Sequence, residues 1–509
     1  MQLDPTVLTF SLYLLLILGI GIIAYLRTKN FSDYILGGRR LGPLVTALSA
    51  GASDMSGWLL MGLPGSIFKS GLAQSWIAIG LLIGAYFNWR LVAGRLRVHT
   101  ECNHNALTLP DFFLHRFGST GQLVKTIAAL AILLFFTLYC ASGMVAGAQL
   151  FKTIFHLPYL QALLLSALAT IIYTFIGGFL AVSWSDTLQA SLMLFALILT
   201  PIMIVVSLGG WSEIQEQMEL AIQIHQIPYS NLIHNVNLIT ILSAAAWGLG
   251  YFGQPHILAR FMAADCAKTM RNARRIGMTW MLFCLFGAVA IGYLGIGYFQ
   301  AHPNQAATVQ RNNEMIFIEL IHYLFNPWVI GILLSAILAA VMSTLSAQLL
   351  MASSTLTHDF YRSYFRRNAH QRELVWTSRL AVLLISFLAL CLALDENNSI
   401  LGLVSRAWAG FGAAFGPLIL FSLFSAKTTG RAALTGIIVG GLTVIFWPSF
   451  QQQILGGFIF GYPEPLYEII PGFTLSALSI YLVYRFGLSA TPAMKQQFKA
   501  AQTKYHSEK

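Results

Sequence analysis

The sequence predicts an all-α integral membrane protein of about thirteen transmembrane helices, and three observations predict it. Its 509 residues are 57% hydrophobic and only 10% charged, whereas soluble domains carry about a quarter charged residues. The apolar residues gather into thirteen segments at about 7–27, 41–66, 72–96, 124–150, 158–180, 187–208, 236–258, 275–299, 327–352, 376–395, 400–425, 431–448 and 468–486, each near the roughly 20 residues a helix needs to cross a bilayer. The basic residues alternate as that number of crossings demands. With the N-terminus outside, all but four of the 30 Lys and Arg lie in cytoplasmic loops or at cytoplasmic helix ends; the exceptions are Lys69, Lys152 and Arg311 outside and Arg406 within a span.

The first segment reads as a retained helix, because no basic residue precedes it, its apolar run is too long for a signal peptide, and Arg27 and Lys29 follow it. The loop 209–235 holds Glu213, Glu216 and Glu219 and no Lys or Arg, which suits a translocated loop. The N-terminus is therefore expected outside and the C-terminus inside. The net charge of +11 then reflects topology and contact with anionic membrane lipid; the basic residues are too dispersed for nucleic-acid binding. Cys102, Cys140, Cys266, Cys284 and Cys391 show no paired spacing and imply no disulfide framework. His99, Cys102 and His104 lack the fourth ligand and the motif spacing of a tetrahedral metal site.

Two apolar segments are interrupted: the second, by GASDMSG at 51–57, and the seventh, by GLGYFGQP at 248–255. Interrupted segments at corresponding positions of two halves are the sequence signature of a transporter binding site. They stand five segments apart, and five is odd, so the spacing predicts two five-helix repeats inverted relative to one another. The expected organisation is residues 1–40 as first helix and cytoplasmic loop, 41–208 as first repeat, 209–235 as outer loop and 236–425 as second repeat. Two peripheral helices over 426–486 and a basic cytoplasmic tail over 487–509 complete it.

Asp54 is the residue that most needs an explanation. A carboxylate at a helix centre costs about 2.5–3.5 kcal/mol on insertion scales, so it needs a partner, a cation or a water-filled cavity. One reading has it cap a helix or pair with Arg39 or Arg40; the other makes it part of a cation site. Gly51, Ala52, Ser53, Ser56 and Gly57 around it weaken the helical ladder and free carbonyls, which are hard oxygen donors suited to Na⁺. Ser343 and Thr344, one turn beyond Ala340, offer further oxygens, although such hydroxyls also bond back to their own helix.

GLGYFG at 248–253 matches a dinucleotide-binding pattern only formally, since no strand precedes it and it lies in a membrane span. Trp247 and Tyr251, at i and i+4, set two rings on one side, either as plain packing or as walls for a small amphipathic solute. Tyr139 and Gly143 are a weaker pair of the same kind. Asp186 and Gln189 fit a helix-capping box between segments 5 and 6, and Arg406 fits a snorkelling or outer-end position. No span or loop carries a metalloprotease, nucleophile or phosphate-loop motif, so an enzyme is not expected.

SAGASDMSGW at 49–58, FIGGFLAVSWSD at 175–186, WGLGYFGQPHILARFMAAD at 247–265 and ILAAVMSTLSAQ at 337–348 follow one another in this order. With them the chain resembles the sodium:solute symporter family, over about residues 10 to 490. The resemblance implies the inverted-repeat architecture of the sodium:neurotransmitter symporters and Na⁺-coupled uptake of L-proline across the cytoplasmic (inner) membrane. It implies a sodium site on the carbonyls of Ala52, Met55 and Ala340 and the hydroxyls of Ser343 and Thr344, with Asp54 required for coupling nearby. It implies proline contacts from Ser56, Gly57, Trp58, Tyr139, Trp247, Tyr251 and Pro255, and ion handling by Arg39 and Asp186. No organic cofactor and no obligatory protein partner are implied. Arg406 departs from the family pattern. A symporter of another small amino acid or carboxylate is the alternative; a channel or transporter-like sensor ranks below it.

Overall fold

A chain in a bilayer has to satisfy its own backbone hydrogen bonds, and helices do so within one segment. The computed structural model describes residues 4–27, 31–233, 236–454, 465–487 and 489–508. Among them, regular structure is helical apart from one isolated β-bridge between Leu41 and Ala264. The apolar helices are α1 (Pro5–Arg27), α2 (Pro43–Asp54), α3 (Leu63–Ser70), α4 (Leu72–Cys102), α5 (Gly121–Phe155), α6 (Tyr159–Phe175), α7 (Gly177–Ser207), α8 (Leu238–Gly253), α9 (Pro255–Ala263) and α10 (Thr269–Ala301). They continue with α11 (Pro327–Ser354), α12 (Gln371–Leu392), α13 (Ile400–Phe424), α14 (Gly430–Gln453) and α15 (Ile469–Phe486). Among the described residues ten are long and apolar enough to cross a membrane: α1, α4, α5, α7 and α10 to α15. α6 and α8 are apolar but shorter.

Burial sorts these helices into a centre and a rim. In the most apolar stretch of the span that contains α11, 89% of residues are buried, against 22% for α1 and 28% for α14 and α15. α2 lies in the centre, packed on α7, α10, α9 and α11, and the C-terminal half of α8 lies between α4 and α13. Both interrupted segments are thus held by neighbours on several sides.

Three local details differ from the sequence expectation, each for a physical reason. The turn between segments 5 and 6 comes at Gly178 (φ 65°, ψ −167°) rather than at 181–186. Only glycine takes that backbone region cheaply, and a Cβ there would also meet the Tyr34 ring at 2.6 Å. Asp186 therefore sits inside α7 and caps nothing, while the Gln189 amide donates to the Tyr13 hydroxyl at 3.0 Å. The basic tail forms a docked helix, Pro492–Glu508, whose Tyr505 packs against Val98 and Ala267 and whose Lys504 pairs with Glu101 at 2.6 Å. Arg406 is exposed, in the second turn of α13.

Candidate functional site

The site begins with the break after α2. Met55 leaves helical geometry (φ −85°, ψ 84°) and donates its N–H to the Gly51 carbonyl at 2.9 Å. The next amide, Ser56, would close the ladder on Ala52, but it turns to the Asp54 carbonyl at 3.1 Å instead. The Ala52 carbonyl is therefore released, and a buried carbonyl needs a partner. It receives two, the Ser343 hydroxyl at 2.8 Å and the Thr344 hydroxyl at 3.1 Å, both from α11. The Ser343 hydroxyl also lies 3.1 Å from the Ala340 carbonyl. Four of the oxygens expected to hold Na⁺ are thus gathered at one crossing of two helices, and Met55, fully buried at the break, stands beside them.

Asp54 is the last residue of α2 and is 2% exposed. Its partner is neither a cap nor an arginine: the Tyr251 hydroxyl donates to Oδ2, while Oδ1 has no hydrogen-bond partner among the described residues. Arg39, offered as a partner by the sequence, lies elsewhere. At φ 56° it points its guanidinium to the Met262 carbonyl (2.7 Å), the Ala106 carbonyl (2.7 Å) and the Thr100 hydroxyl (3.1 Å). The Asp54–Tyr251 bond joins the first interrupted segment to the second.

The expected solute residues form an aromatic wall next to that bond. The Trp58 and Trp247 rings lie 6.4 Å apart, and the Trp58 indole N–H donates to the Asp54 carbonyl at 3.1 Å. Gly57 sits close to α5, where a Cβ would come within 2.7 Å of the Ala146 methyl. Tyr139, fully buried on α5, keeps a hydroxyl without a hydrogen-bond partner among the described residues. Ser56 is buried at the break and accepts from the Trp58 amide at 3.4 Å. Pro255 is set apart from this wall: it opens α9, where its missing N–H costs nothing, and faces Ile132, Ala259 and Met351.

Sequence reasoning missed Trp408, which organises the second break. Its indole N–H donates to the Trp247 carbonyl at 2.7 Å and its ring meets Tyr251 edge-on at 5.1 Å. The approach is so close that a Cβ on Gly250 would lie 1.9 Å from the indole nitrogen. Gln254 adds amide bonds to the Gly250 and Trp408 carbonyls, both at 3.2 Å. A tryptophan in the glycine-containing WAGFG run of α13 was the available signal.

Asp186 belongs to a second buried network, one turn and a half back along α2. Its Oδ2 accepts from the Ser49 hydroxyl at 2.6 Å and from Arg260 Nη2 at 3.4 Å, and Arg260 Nε reaches Ser49 at 3.2 Å. Asp186 and Arg260 are both fully buried, so each charge depends on the other. A third cluster lies where the loop after α4 meets the end of the α11 segment. There Lys125 stands between Asp111 (3.4 Å) and Asp359 (3.2 Å), with Thr108 and His358 also on Asp359 at 3.0 and 3.3 Å. His99, Cys102 and His104 do not converge; Asp111, His358 and Asp359 are the metal-capable trio among the described residues. Lys125 already supplies a cation to them. Burial alone pushes the Asp111 carboxyl up, but His358, Lys125 and His115 beside it outweigh that and hold it below its ordinary value.

Comparison with known proteins bears on the family and the fold. The chain is 57% identical over 503 residues to the sodium/proline symporter of Salmonella typhimurium, covering 99% of this chain and 97% of that one. It is 56% identical over 503 residues to the sodium/proline symporter of Escherichia coli, with the same coverage. A solved Na⁺-coupled sialic acid symporter in a substrate-bound outward-open state has the same fold, with a TM-score of 0.79 over 96% of this chain and 99% of that one, at 18% identity. The sodium:solute symporter family model matches residues 34–440. The chain belongs to the sodium:solute symporter family.

Proposed function

We propose that this protein is a secondary transporter, not an enzyme, that carries Na⁺ and L-proline together into the cell across the cytoplasmic (inner) membrane by alternating access. Its near full-length relatives bear the name sodium/proline symporter. The observation that carries the reading is the Ala52 carbonyl, released from α2 and met by the Ser343 and Thr344 hydroxyls of α11. Carbonyls and hydroxyls are the ligands a hard cation takes. Na⁺ is held by the carbonyls of Ala52, Met55 and Ala340 once the two hydroxyls rotate to present lone pairs. The same oxygens then bind either each other or the ion, so Na⁺ occupancy sets how α2 and α11 meet.

Proline lies between the interrupted segments, its ring against Trp58 and Trp247 and its carboxylate toward amides freed at the break. Ser56, Gly57, Tyr139 and Tyr251 complete its surroundings, and Pro255 acts from behind them by setting the start of α9. Asp54 couples the two ligands, because it sits beside the sodium oxygens and bonds to Tyr251 of the other segment. Differential affinity of the two ligands for the transporter's states makes the coupling reciprocal, so proline tightens Na⁺ binding. Asp186 of α7, bonded to Ser49 of α2, and Arg39, just before α2, lie beyond the N-terminal side of the break on the path by which Na⁺ leaves.

In this reading α2 with α3, and α8 with α9, each count as one interrupted crossing, and α6 completes thirteen. Crossings two to six (41–208) and seven to eleven (236–425) are the inverted repeats, with the N-terminus outside and the C-terminus in the cytoplasm. Membrane lipid is the only surrounding the reading requires. The test is uptake of labelled proline into vesicles of the reconstituted protein. Accumulation is expected with an inward Na⁺ gradient and is lost when choline replaces Na⁺; accumulation driven by a proton gradient alone overturns the sodium assignment.

A further inference from the structure

The ends of α4 and α10 that carry the basic residues form a cavity of about 700 Å³. Arg90 and Arg95 of α4, with Lys268, Arg271 and Arg274 at the start of α10, all line it. Among the described residues no carboxylate pairs with any of these five cations. The acids nearest in sequence are engaged: Glu101 and Glu508 with Arg97 and Lys504, and Asp265 with the Cys266 amide and the Thr269 hydroxyl. Arg95 lies over the Phe424 and Tyr505 rings at 4.4 and 5.0 Å, which fixes its stem without neutralising it. Five unpaired positive charges in one hollow call for a multiply negative ligand.

What that ligand is follows from the next turns of the same helices. Immediately beyond the basic hollow, α4 and α10 enclose a groove of about 420 Å³ lined by Leu82, Ile83, Tyr86, Phe87, Met278 and Leu282, together with Thr279. Arg274 over the Tyr86 ring, at 5.7 Å, marks the border between hollow and groove. Ile83, Phe87 and Leu282 are each about half exposed, so the groove opens toward the bilayer. Lys268 to Leu282 spans roughly 20 Å of helix, about the reach of a headgroup and the upper part of an acyl chain.

We propose that this hollow and groove are one binding site for an anionic phospholipid, its phosphate among Arg90, Lys268, Arg271 and Arg274 and one acyl chain along Ile83, Phe87 and Leu282. A free phosphate or a sugar phosphate shares the headgroup's charge but has nothing to place in the groove. The site bears on transport through its walls. Trp280 of α10 fills the space left by Gly51 of α2, where a Cβ would lie 2.5 Å from its ring, and Gly80 and Gly84 of α4 pack directly on the backbone of α8 at Ala245 and Gly248. A lipid wedged between α4 and α10 therefore braces helices that hold both interrupted segments. Lipid binding is read without transport, so this inference and the proposed function fail independently.

The test is native mass spectrometry of the purified full chain in detergent, titrated separately with phosphatidylglycerol, phosphatidylethanolamine and glycerol phosphate. One phosphatidylglycerol is expected to be retained selectively, with affinity falling roughly fivefold for each charge removed in Arg90→Gln, Lys268→Gln and Arg271→Gln. Leu282→Trp, which keeps every charge and fills the groove, is expected to weaken the lipid as well. Exchange of Arg362, Arg366 and Arg367 for Gln serves as a control and leaves retention unchanged. Should a variant that combines the Arg90, Lys268 and Arg271 exchanges not accumulate, the three single variants and Leu282→Trp carry the comparison. Equal retention of both lipids, binding of glycerol phosphate as tight as that of phosphatidylglycerol, or indifference to Leu282→Trp overturns the proposal.

Discussion

The Tyr251 hydroxyl donates to the Asp54 carboxylate, and these residues lie on the two different interrupted segments. A carboxylate that is costly in a bilayer thus finds its donor on the other interrupted segment. Removing the hydroxyl leaves Asp54 with no donor among the described residues, since its other oxygen already has none. A hydrogen bond to a charged group is worth about 1.5–3 kcal/mol. For Tyr251→Phe the expected outcome is roughly a 10- to 100-fold loss of apparent proline affinity, with protein still present in the membrane, checked by uptake kinetics against immunoblotted protein. Kinetics unchanged from the parent contradict the coupling role.

Ser343 and Thr344 share one acceptor, the Ala52 carbonyl. Either hydroxyl alone keeps that carbonyl partnered, so Ser343→Ala and Thr344→Ala each cost only about 0.5–1.5 kcal/mol of stability. Each also removes one proposed ligand of Na⁺. The Na⁺ concentration for half-maximal uptake is expected to rise about tenfold or more in either variant, with thermal stability nearly preserved, and more than additively in the double variant because the two sites are coupled.

Asp186 and Arg260 are both fully buried and satisfy one another. Breaking such a pair from one side costs about 3–5 kcal/mol, while replacing both partners is far milder. Asp186→Asn and Arg260→Gln should each lower the unfolding temperature in detergent, and the double variant should recover most of the loss. A double variant as unstable as the sum of the singles contradicts the pairing.

Lys125 separates the carboxylates of Asp111 and Asp359. The Asp111 carboxyl is held below its ordinary value of about 3.9. A depressed carboxyl stabilises the fold above that ordinary value, and the contribution is lost as pH falls through the folded value. Lys125→Met is expected to destabilise by about 3–5 kcal/mol at pH 7. Its deficit should shrink as the pH is lowered toward the ordinary carboxylate range, because protonation of the Asp111 carboxyl removes a charge that the lost lysine leaves uncompensated. A thermal-shift series over pH 7 to 4 reads both effects; a deficit constant with pH contradicts them.

Gly250 lets the backbone of α8 approach Trp408. Its alanine variant would place a Cβ at 1.9 Å from the indole nitrogen that holds the Trp247 carbonyl. Overpacking of this kind costs about 1–3 kcal/mol. Gly250→Ala is expected to lose proline uptake through a displaced Trp247, visible as a changed tryptophan emission, whereas Gly441→Ala on α14, with open space around it, is expected to be neutral.

Much of this was legible in the sequence where a residue carried an evident cost. Asp54 among glycines and serines in an apolar run pointed to the break, and the break releases the Ala52 carbonyl as that composition suggests. Its partner was not legible, because Tyr251 lies nearly 200 residues away and the basic residues just before α2 offered a nearer candidate. Asp186 and Gln189 have the spacing of a capping box, and spacing alone cannot reveal that the turn comes at Gly178, eight residues earlier. Arg260 reads as one more cytoplasmic arginine until the fold buries it against Asp186. Trp408 left almost no signal, since an apolar aromatic in a membrane helix is ordinary and only the glycine approach at Gly250 shows its function.

Movement of Na⁺ and proline together is read from proline-driven sodium entry. Radioactive sodium flux into vesicles of the reconstituted protein, with no Na⁺ gradient imposed, should rise on addition of external proline, in fixed proportion to the proline taken up. Proline entry at an undiminished rate with no accompanying sodium flux contradicts the account.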